Sequence, residues 1–127
     1  MASSVEDVAS RIGAHEGASE AVLERLEEWA KGRVPDTYFS FLRRCNGAEG
    51  LLSPAAYVAL WRAEDVAELN SGYAVDEFAP GLVLFGTDGG DTGYAFDSRD
   101  PASPVVEVPL MGMDLEEVKE IAGTLDA

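Results

Sequence analysis

One cysteine, one histidine and the lack of any long apolar segment limit what this 127-residue chain can be. Cys45 has no second cysteine with which to form a disulfide, which is typical of proteins in a reducing cytosol. No stretch approaches the roughly 20 apolar residues of a membrane span, and Met1–Gly13 lacks a basic start followed by an apolar core. We therefore expect a cytoplasmic protein with no membrane partner, folded as a single domain over residues 1–127.

Basic residues are also scarce, since 9 Lys and Arg stand against 24 Asp and Glu, a formal net charge of −15. Residues 51–127 hold 15 of these acids and 3 of the bases. Such a surface repels nucleic acid phosphates and acidic lipid headgroups, whereas it speeds association with a basic protein. The charge predicts no direct nucleic acid binding. It is compatible with a basic protein partner, or with acidity that serves solubility alone.

The usual catalytic constellations are missing as well. His15 lies in a predicted loop, and Cys45 falls on the buried face of a predicted helix, so neither a Ser-His-Asp nor a Cys-His site is predicted. The chain has no Gly-Lys-Ser/Thr phosphate loop, no Rossmann glycine pattern and no set of zinc ligands. We therefore predict no catalytic residue and no cofactor.

The stretch 82–97 predicts a buried β-hairpin around which the rest of the chain is organised. Two apolar runs, Leu82–Phe85 and Tyr94–Phe96, flank a centre of Gly, Asp and Thr that tolerates the positive φ of tight turns. Further strands are predicted at Tyr57–Trp61 and Val105–Val108, where apolar and β-branched residues are concentrated.

Apolar residues at three- and four-residue steps predict helices on either side of these strands. A short helix is predicted over residues 4–12, within an N-terminal extension 1–17, and the next over Glu20–Lys31 with Ser19 as its cap. A third opens at Pro35 and ends at Asn46-Gly47, and a fourth covers Arg62–Asn70. A final helix is predicted to start at Asp114, with an inward face formed by Leu115, Val118, Ile121, Ala122 and Leu125. Together these elements predict an α+β fold, a small and mostly antiparallel sheet with helices packed against it.

Four aspartates in and after the hairpin admit two interpretations. Asp88, Asp91, Asp97 and Asp100 supply oxygens of the kind that hold calcium or act as acid and base in hydrolysis. Their spacing matches no calcium-binding loop, and Asp and Gly are also the common residues of turns. A metal-dependent hydrolase that uses Asp88, Asp91 and Asp97 therefore remains an outside alternative to a structural role.

Several motifs occur here in the order found in the SUKH superfamily, which comprises fungal cell-wall assembly regulators and bacterial relatives. A helix opens at Pro35, carries Phe41-Leu42 and ends in Asn46-Gly47, and a strand then leads into a short acidic helix with Asn70. The run from Phe85-Gly86 through a Gly-Gly-Asp tip follows. The chain resembles this superfamily over residues 18–125. The resemblance implies that many bacterial members are immunity proteins that neutralise a toxin domain, whereas others are regulatory scaffolds.

We therefore predict a non-catalytic protein-binding domain, an immunity protein whose partner is a toxin domain or other basic protein, such as a basic nuclease. A regulatory adaptor for an endogenous protein is the alternative. The predicted partner-binding residues are Asp88, Asp91, Asp97, Asp100, Glu64, Asp65, Asp76, Glu77 and Trp61, with Tyr57, Tyr73 and Phe78 as further aromatic anchors wherever they are exposed.

Overall fold

The computed structural model describes residues 13–14, 16–53 and 56–122. Its strands are β1 (Gly13–Ala14), β2 (Ala48–Ser53), β3 (Ala56–Leu60), β4 (Leu82–Thr87), β5 (Thr92–Asp97), β6 (Val105–Pro109) and β7 (Lys119–Ala122). Its helices are α1 (Glu20–Ala30), α2 (Asp36–Arg44), α3 (Ala63–Gly72) and α4 (Val75–Phe78), with a single 3-10 turn at Leu115–Glu117. The predicted helix over residues 4–12 and His15 lie outside the described residues.

The strands form one sheet in which each pairs antiparallel with the next along the chain. Such a meander follows when successive strands are joined by short connections or by helices that return to the same sheet edge. The predicted α+β class, an antiparallel sheet with helices packed on it, is confirmed. Within the described residues, no helix is long and apolar enough to cross a membrane.

The central hairpin is largely buried, in agreement with the predicted buried hairpin. All six residues of β4 are buried, and alternate side chains point to opposite faces of the sheet. Val83 and Phe85 face the cluster that α1 and α2 cover, whereas Leu82 and Leu84 face a second cluster that includes Val75 of α4. The hairpin therefore joins two separate cores.

The predicted helices within residues 20–72 are confirmed with small changes in their bounds. Ser19 caps α1 by accepting a hydrogen bond from the Val22 N–H at 3.3 Å. The predicted inward faces are buried at Leu23, Leu26 and Ala30 of α1, and at Tyr38, Phe41, Leu42 and Cys45 in and after α2. The Arg62–Asn70 prediction corresponds to α3, which runs to Gly72.

The predicted final helix is wrong. Only Leu115–Glu117 turns, as one 3-10 turn, and Lys119–Ala122 forms β7 beside β6. The Asp114 cap is present, because its carboxylate accepts from the Glu116 N–H at 2.9 Å. A strand at this position satisfies the backbone groups along β6 that a helix would leave without a partner. The few apolar residues at helical spacing in this segment are compatible with a turn followed by a strand as well as with a helix. Leu125 lies outside the described residues.

Candidate functional site

The nine predicted binding residues fall in three places. Asp88 and Asp91 lie at the hairpin tip, Asp97 is the last residue of β5 and Asp100 follows in the next turn, and the other five belong to the segment 61–77. The length of β5 separates the first two groups by roughly 16 Å, at about 3.3 Å per residue. Over the described ranges no three His, Cys, Asp or Glu side chains are placed to hold a metal ion. The cluster on which the hydrolase alternative depends is therefore not assembled.

Asp88 organises the hairpin tip. Its Oδ1 accepts from the Gly90 N–H at 2.8 Å and from the Thr92 N–H at 3.2 Å, and the Thr87 hydroxyl accepts from the Gly89 N–H at 3.1 Å. Hydrogen bonds from nearby backbone N–H groups to short polar side chains are a common means of fixing a turn. This carboxylate is thus partly used inside the tip.

The main chain of Asp91 is fixed by a hydrogen bond, whereas its carboxylate is exposed. The Asp91 carbonyl accepts from the Leu110 N–H at 2.7 Å, which ties the tip to the end of β6. On the other side the tip rests on Tyr57, whose hydroxyl donates to Glu49 at 2.9 Å. The tip is therefore a fixed support for an acidic side chain.

Asp97 and Asp100 hold the turn after β5. Asp97 is 8% exposed, and both of its carboxylate oxygens accept from the Arg99 guanidinium, at 2.9 and 2.7 Å. These bonds hold the pKa of Asp97 below its ordinary value. Asp100 accepts from the Ala102 N–H at 2.9 Å. Asp97 in particular is buried and ion-paired, so it presents little charge to a partner.

Glu64 is also used internally, through Asn46. The Asn46 amide donates to Glu64 at 2.6 Å and its carbonyl oxygen accepts from the Ala63 N–H at 2.7 Å, so Asn46 caps α3 from a distance in sequence. The donated hydrogen bond lowers the pKa of Glu64. The sequence predicts Asn46 only as part of the stop of the preceding helix. A signal for its second role is the N-cap position of α3, because an arginine such as Arg62 cannot accept the capping hydrogen bond there.

The two long flanks of α3 carry different groups. Glu64 and Ala67 face α1, where they line a cavity of about 130 Å³ together with Val22 and Leu26. Asp65 is rotated by about 100° from Glu64 around the helix axis. It lies on the stripe that continues at four-residue steps through Leu69 to Tyr73, the C-cap residue. The two neighbouring acids therefore point in different directions from the helix.

The indole ring of Trp61 stacks on the phenol ring of Tyr73. Their centroids are 6.2 Å apart and the planes differ by 2°. Trp61 is partly buried against both core clusters, whereas Tyr73 is 38% exposed. The pair therefore forms a partly apolar surface on the Asp65 flank of α3.

On the α1 side, Asp76 and Glu77 line a cavity of about 320 Å³ that Trp29 and Asn70 also border. Arg33 lies over Trp29, with its Cζ 4.6 Å from the ring centroid, and its guanidinium is 3.5 Å from Asp76. In this part of the surface, the aromatic ring and the carboxylate therefore already have an arginine of the same chain as their partner.

Comparison with known families shows that the SMI1 / KNR4 family model (SUKH-1) matches residues 17–127. The chain belongs to the SMI1 / KNR4 family (SUKH-1). A search of curated proteins found no significant match. The SUKH resemblance predicted from the motifs is confirmed, and membership of SUKH-1 supports a non-catalytic protein.

The predicted acids of this SUKH-1 domain differ in whether they have a partner within the chain. Across the described residues, Asp65, Glu77 and Asp91 are the predicted acids whose carboxylates have neither a hydrogen bond nor an ion pair. Cys45 is buried, and its thiol donates to the Gly47 carbonyl at 3.1 Å.

Proposed function

We propose that this SUKH-1 domain is a cytoplasmic immunity protein that binds and neutralises a toxin domain with a basic surface, such as a nuclease. Family membership supports a non-catalytic role. The net charge of −15 supports a basic partner, because opposite charge steers two proteins together and raises the association rate. Neutralisation then follows from occupying the toxin's functional surface, which requires no bond to be made or broken.

The observation that carries this proposal is how the acidic groups are distributed. The free carboxylates of Asp65, Glu77 and Asp91 lie at separate places on the outside of the fold, and Asp97, the most buried predicted acid, is neutralised by Arg99. Dispersed surface charge attracts a macromolecule, whereas a catalytic acid and base would have to converge on one reacting atom. An interface of about 800 Å² per partner would span several of these positions.

Co-expression tests the proposal directly. Affinity purification from the native host identifies the partner, which we expect to be a toxin domain of high pI whose toxicity is abolished when this chain is co-expressed. Recovery of an endogenous partner with no toxic activity would indicate the regulatory adaptor instead. A toxin that binds but is not inhibited would contradict neutralisation.

Charge reversal then tests the electrostatic part. Asp91→Lys leaves the tip hydrogen bonds in place, because only the Asp91 main chain takes part in them. If the tip faces the partner, the association rate at low salt falls several-fold and its salt dependence weakens. Glu28→Lys on the exposed side of α1 is the matched control for net charge. Equal rates for the two variants would exclude the tip from the interface.

A further inference from the structure

The Trp61–Tyr73 pair is an aromatic surface on the flank of α3 that points away from α1. The opposite flank, with Ala63, Glu64 and Ala67, lies against α1. Rings of this size normally complete a core or an interface, because each can bury 150–250 Å². Tyr73 instead keeps 38% of its surface exposed, although its ring stacks on a tryptophan that reaches both core clusters.

Two unpaired acids of α3 lie between Trp61 and Tyr73 in the sequence. Asp65 shares the Tyr73 stripe of α3, and Glu68 follows it one helical turn later on the solvent side. The whole segment 63–78 carries five acids and no Lys or Arg. In the part of the chain that the structure describes, no basic side chain lies over either ring or pairs with Asp65 or Glu68.

The chain fills a comparable arrangement with its own arginine on the α1 side of α3. There Arg33 lies 4.6 Å above the Trp29 ring and reaches Asp76 at 3.5 Å. A guanidinium suits such a place because it is planar, stacks on aromatic faces and donates to carboxylates at the same time. The Trp61–Tyr73 pair presents the same two partners, ring and carboxylate, to the outside.

We propose that the Trp61–Tyr73 pair, together with the unpaired acids Asp65 and Glu68 of α3, binds an arginine side chain of the protein partner. The guanidinium stacks on the exposed aromatic surface and donates to the Asp65 carboxylate. This inference rests on the proposed function, for which it supplies a contact surface and a partner chemistry. Lysine fits less well, because a compact ammonium does not stack on the rings.

The two tryptophans make the test internally controlled. The probe is a blocked Gly-Arg-Gly tripeptide, titrated into the full-length protein while NMR follows the two indole N–H signals, assigned with Trp29→Phe. We expect a saturable shift of the Trp61 signal. The Trp29 signal should not respond, because Arg33 already covers that ring. The same tripeptide with citrulline, the neutral isostere of arginine, should leave both signals unchanged.

Substitutions distinguish the contribution of the Tyr73 ring to tripeptide binding from that of the Asp65 carboxylate. Tyr73→Ala should weaken tripeptide binding about two- to five-fold, which corresponds to an exposed cation–π contact, and Tyr73→Phe should retain it. Asp65→Asn should weaken binding to a similar extent. Glu28→Gln, which removes an exposed acid from α1, is the charge-matched control and should have no effect.

Several outcomes would overturn this inference. They are the absence of a Trp61 shift, an equal response of both indoles, an equal response to citrulline, or binding that is indifferent to Tyr73→Ala. A toxin domain that binds Asp65→Asn and Tyr73→Ala as tightly as the wild type would reject this surface while the proposed function stands. Tripeptide binding without any toxin partner would reject the proposed function and leave the arginine site.

Discussion

Asn70 of α3 pairs with the backbone of Leu84 as a neighbouring strand would. Its Oδ1 accepts from the Leu84 N–H at 2.9 Å and its amide donates to the Leu84 carbonyl at 2.9 Å. β3 pairs with β4 only at Leu60–Gly86 and Ala59–Thr87 and then leaves the sheet. The side-chain amide thus replaces the missing strand and attaches α3 to the central hairpin, which in turn positions the Trp61–Tyr73 surface.

Replacing Asn70 by alanine should therefore destabilise the protein by about 2–4 kcal/mol, because it leaves a buried N–H and a buried carbonyl of Leu84 unpaired. Urea denaturation followed by far-UV circular dichroism measures this change. Ser71→Ala, on the exposed side of the same helix, is the matched control and should change stability very little. A loss below about 0.5 kcal/mol for Asn70→Ala would mean that water replaces the amide at no cost.

Local signals in the sequence predicted the central part of the fold. The apolar runs around the Gly-Asp tip identify the β4–β5 hairpin, and Ser19 before an amphipathic run identifies α1, because each pattern is complete within a few residues. The strand β2 and the short helix α4 were not predicted. The predicted C-terminal helix failed because pairing along β6 competes with local helical spacing, and sequence periodicity does not register such a competition.

The candidate site was predicted less completely than the fold. The acidic residues were identified, but their hydrogen bonds were not, so Glu64, Asp88 and Asp97 were treated as equal to Asp65. The Glu64 contact depends on Asn46, 18 residues away in the sequence. Short motifs carry no information about pairs at that separation, and the Trp61–Tyr73 stack was missed for the same reason.

Tyr38 offers a test of the main core. Its ring packs against the stacked rings of Phe85 and Phe96, with centroid distances of 5.7 and 5.0 Å. Its buried hydroxyl has no hydrogen-bond partner among the described residues. Burial raises the pKa of this phenol, so it stays neutral. Tyr38→Phe removes the unpaired group and should leave stability unchanged or raise it by about 1 kcal/mol.

Thermal and urea unfolding of Tyr38→Phe measure that effect. Tyr57→Phe is the comparison, because the exposed Tyr57 hydroxyl donates to Glu49 and its removal should bring no gain. If Tyr38→Phe lowered the free energy of unfolding by more than about 1 kcal/mol, the Tyr38 hydroxyl would be hydrogen-bonded, for example to a buried water.

The ion pair between Asp97 and Arg99 should make the stability of the fold depend on pH. Its pKa is lowered by Arg99, so its stabilising contribution is complete above the ordinary carboxyl pKa of about 4 and is lost as the pH falls through the lowered value. Asp97→Asn should therefore lower Tm by a few degrees at pH 7. The difference from wild type should narrow as the pH falls below about 4 and the native carboxyl becomes protonated through its lowered pKa.

Scanning calorimetry from pH 7 to pH 2.5 measures this convergence. Glu28→Gln replaces an exposed acid with no ion pair, and its small effect on Tm should not vary in the same way. A deficit for Asp97→Asn that stays the same size at every pH would show that the carboxyl is held by its geometry and not by its charge.

Two adjacent glycines test whether the hairpin tip is a fixed support for Asp91. Gly89 has a φ of +83°, and a Cβ on it would lie 2.5 Å from Cδ1 of Tyr57, whereas a Cβ on Gly90 would meet only Asp88 Oδ1 at 3.5 Å. Gly89→Ala should cost about 1–3 kcal/mol, from backbone strain and from displacing the Tyr57 ring.

Gly90→Ala is the matched control, since it should be neutral or slightly stabilising by reducing the entropy of the unfolded chain. Urea denaturation compares the stabilities, and the Tyr57 ring signals in NMR report its displacement. If the tip positions Asp91 for a basic partner, Gly89→Ala should also slow association at low salt, even at temperatures where the variant is fully folded. Similar stability and association rates for both alanine variants would mean that the tip is not held against Tyr57 in solution.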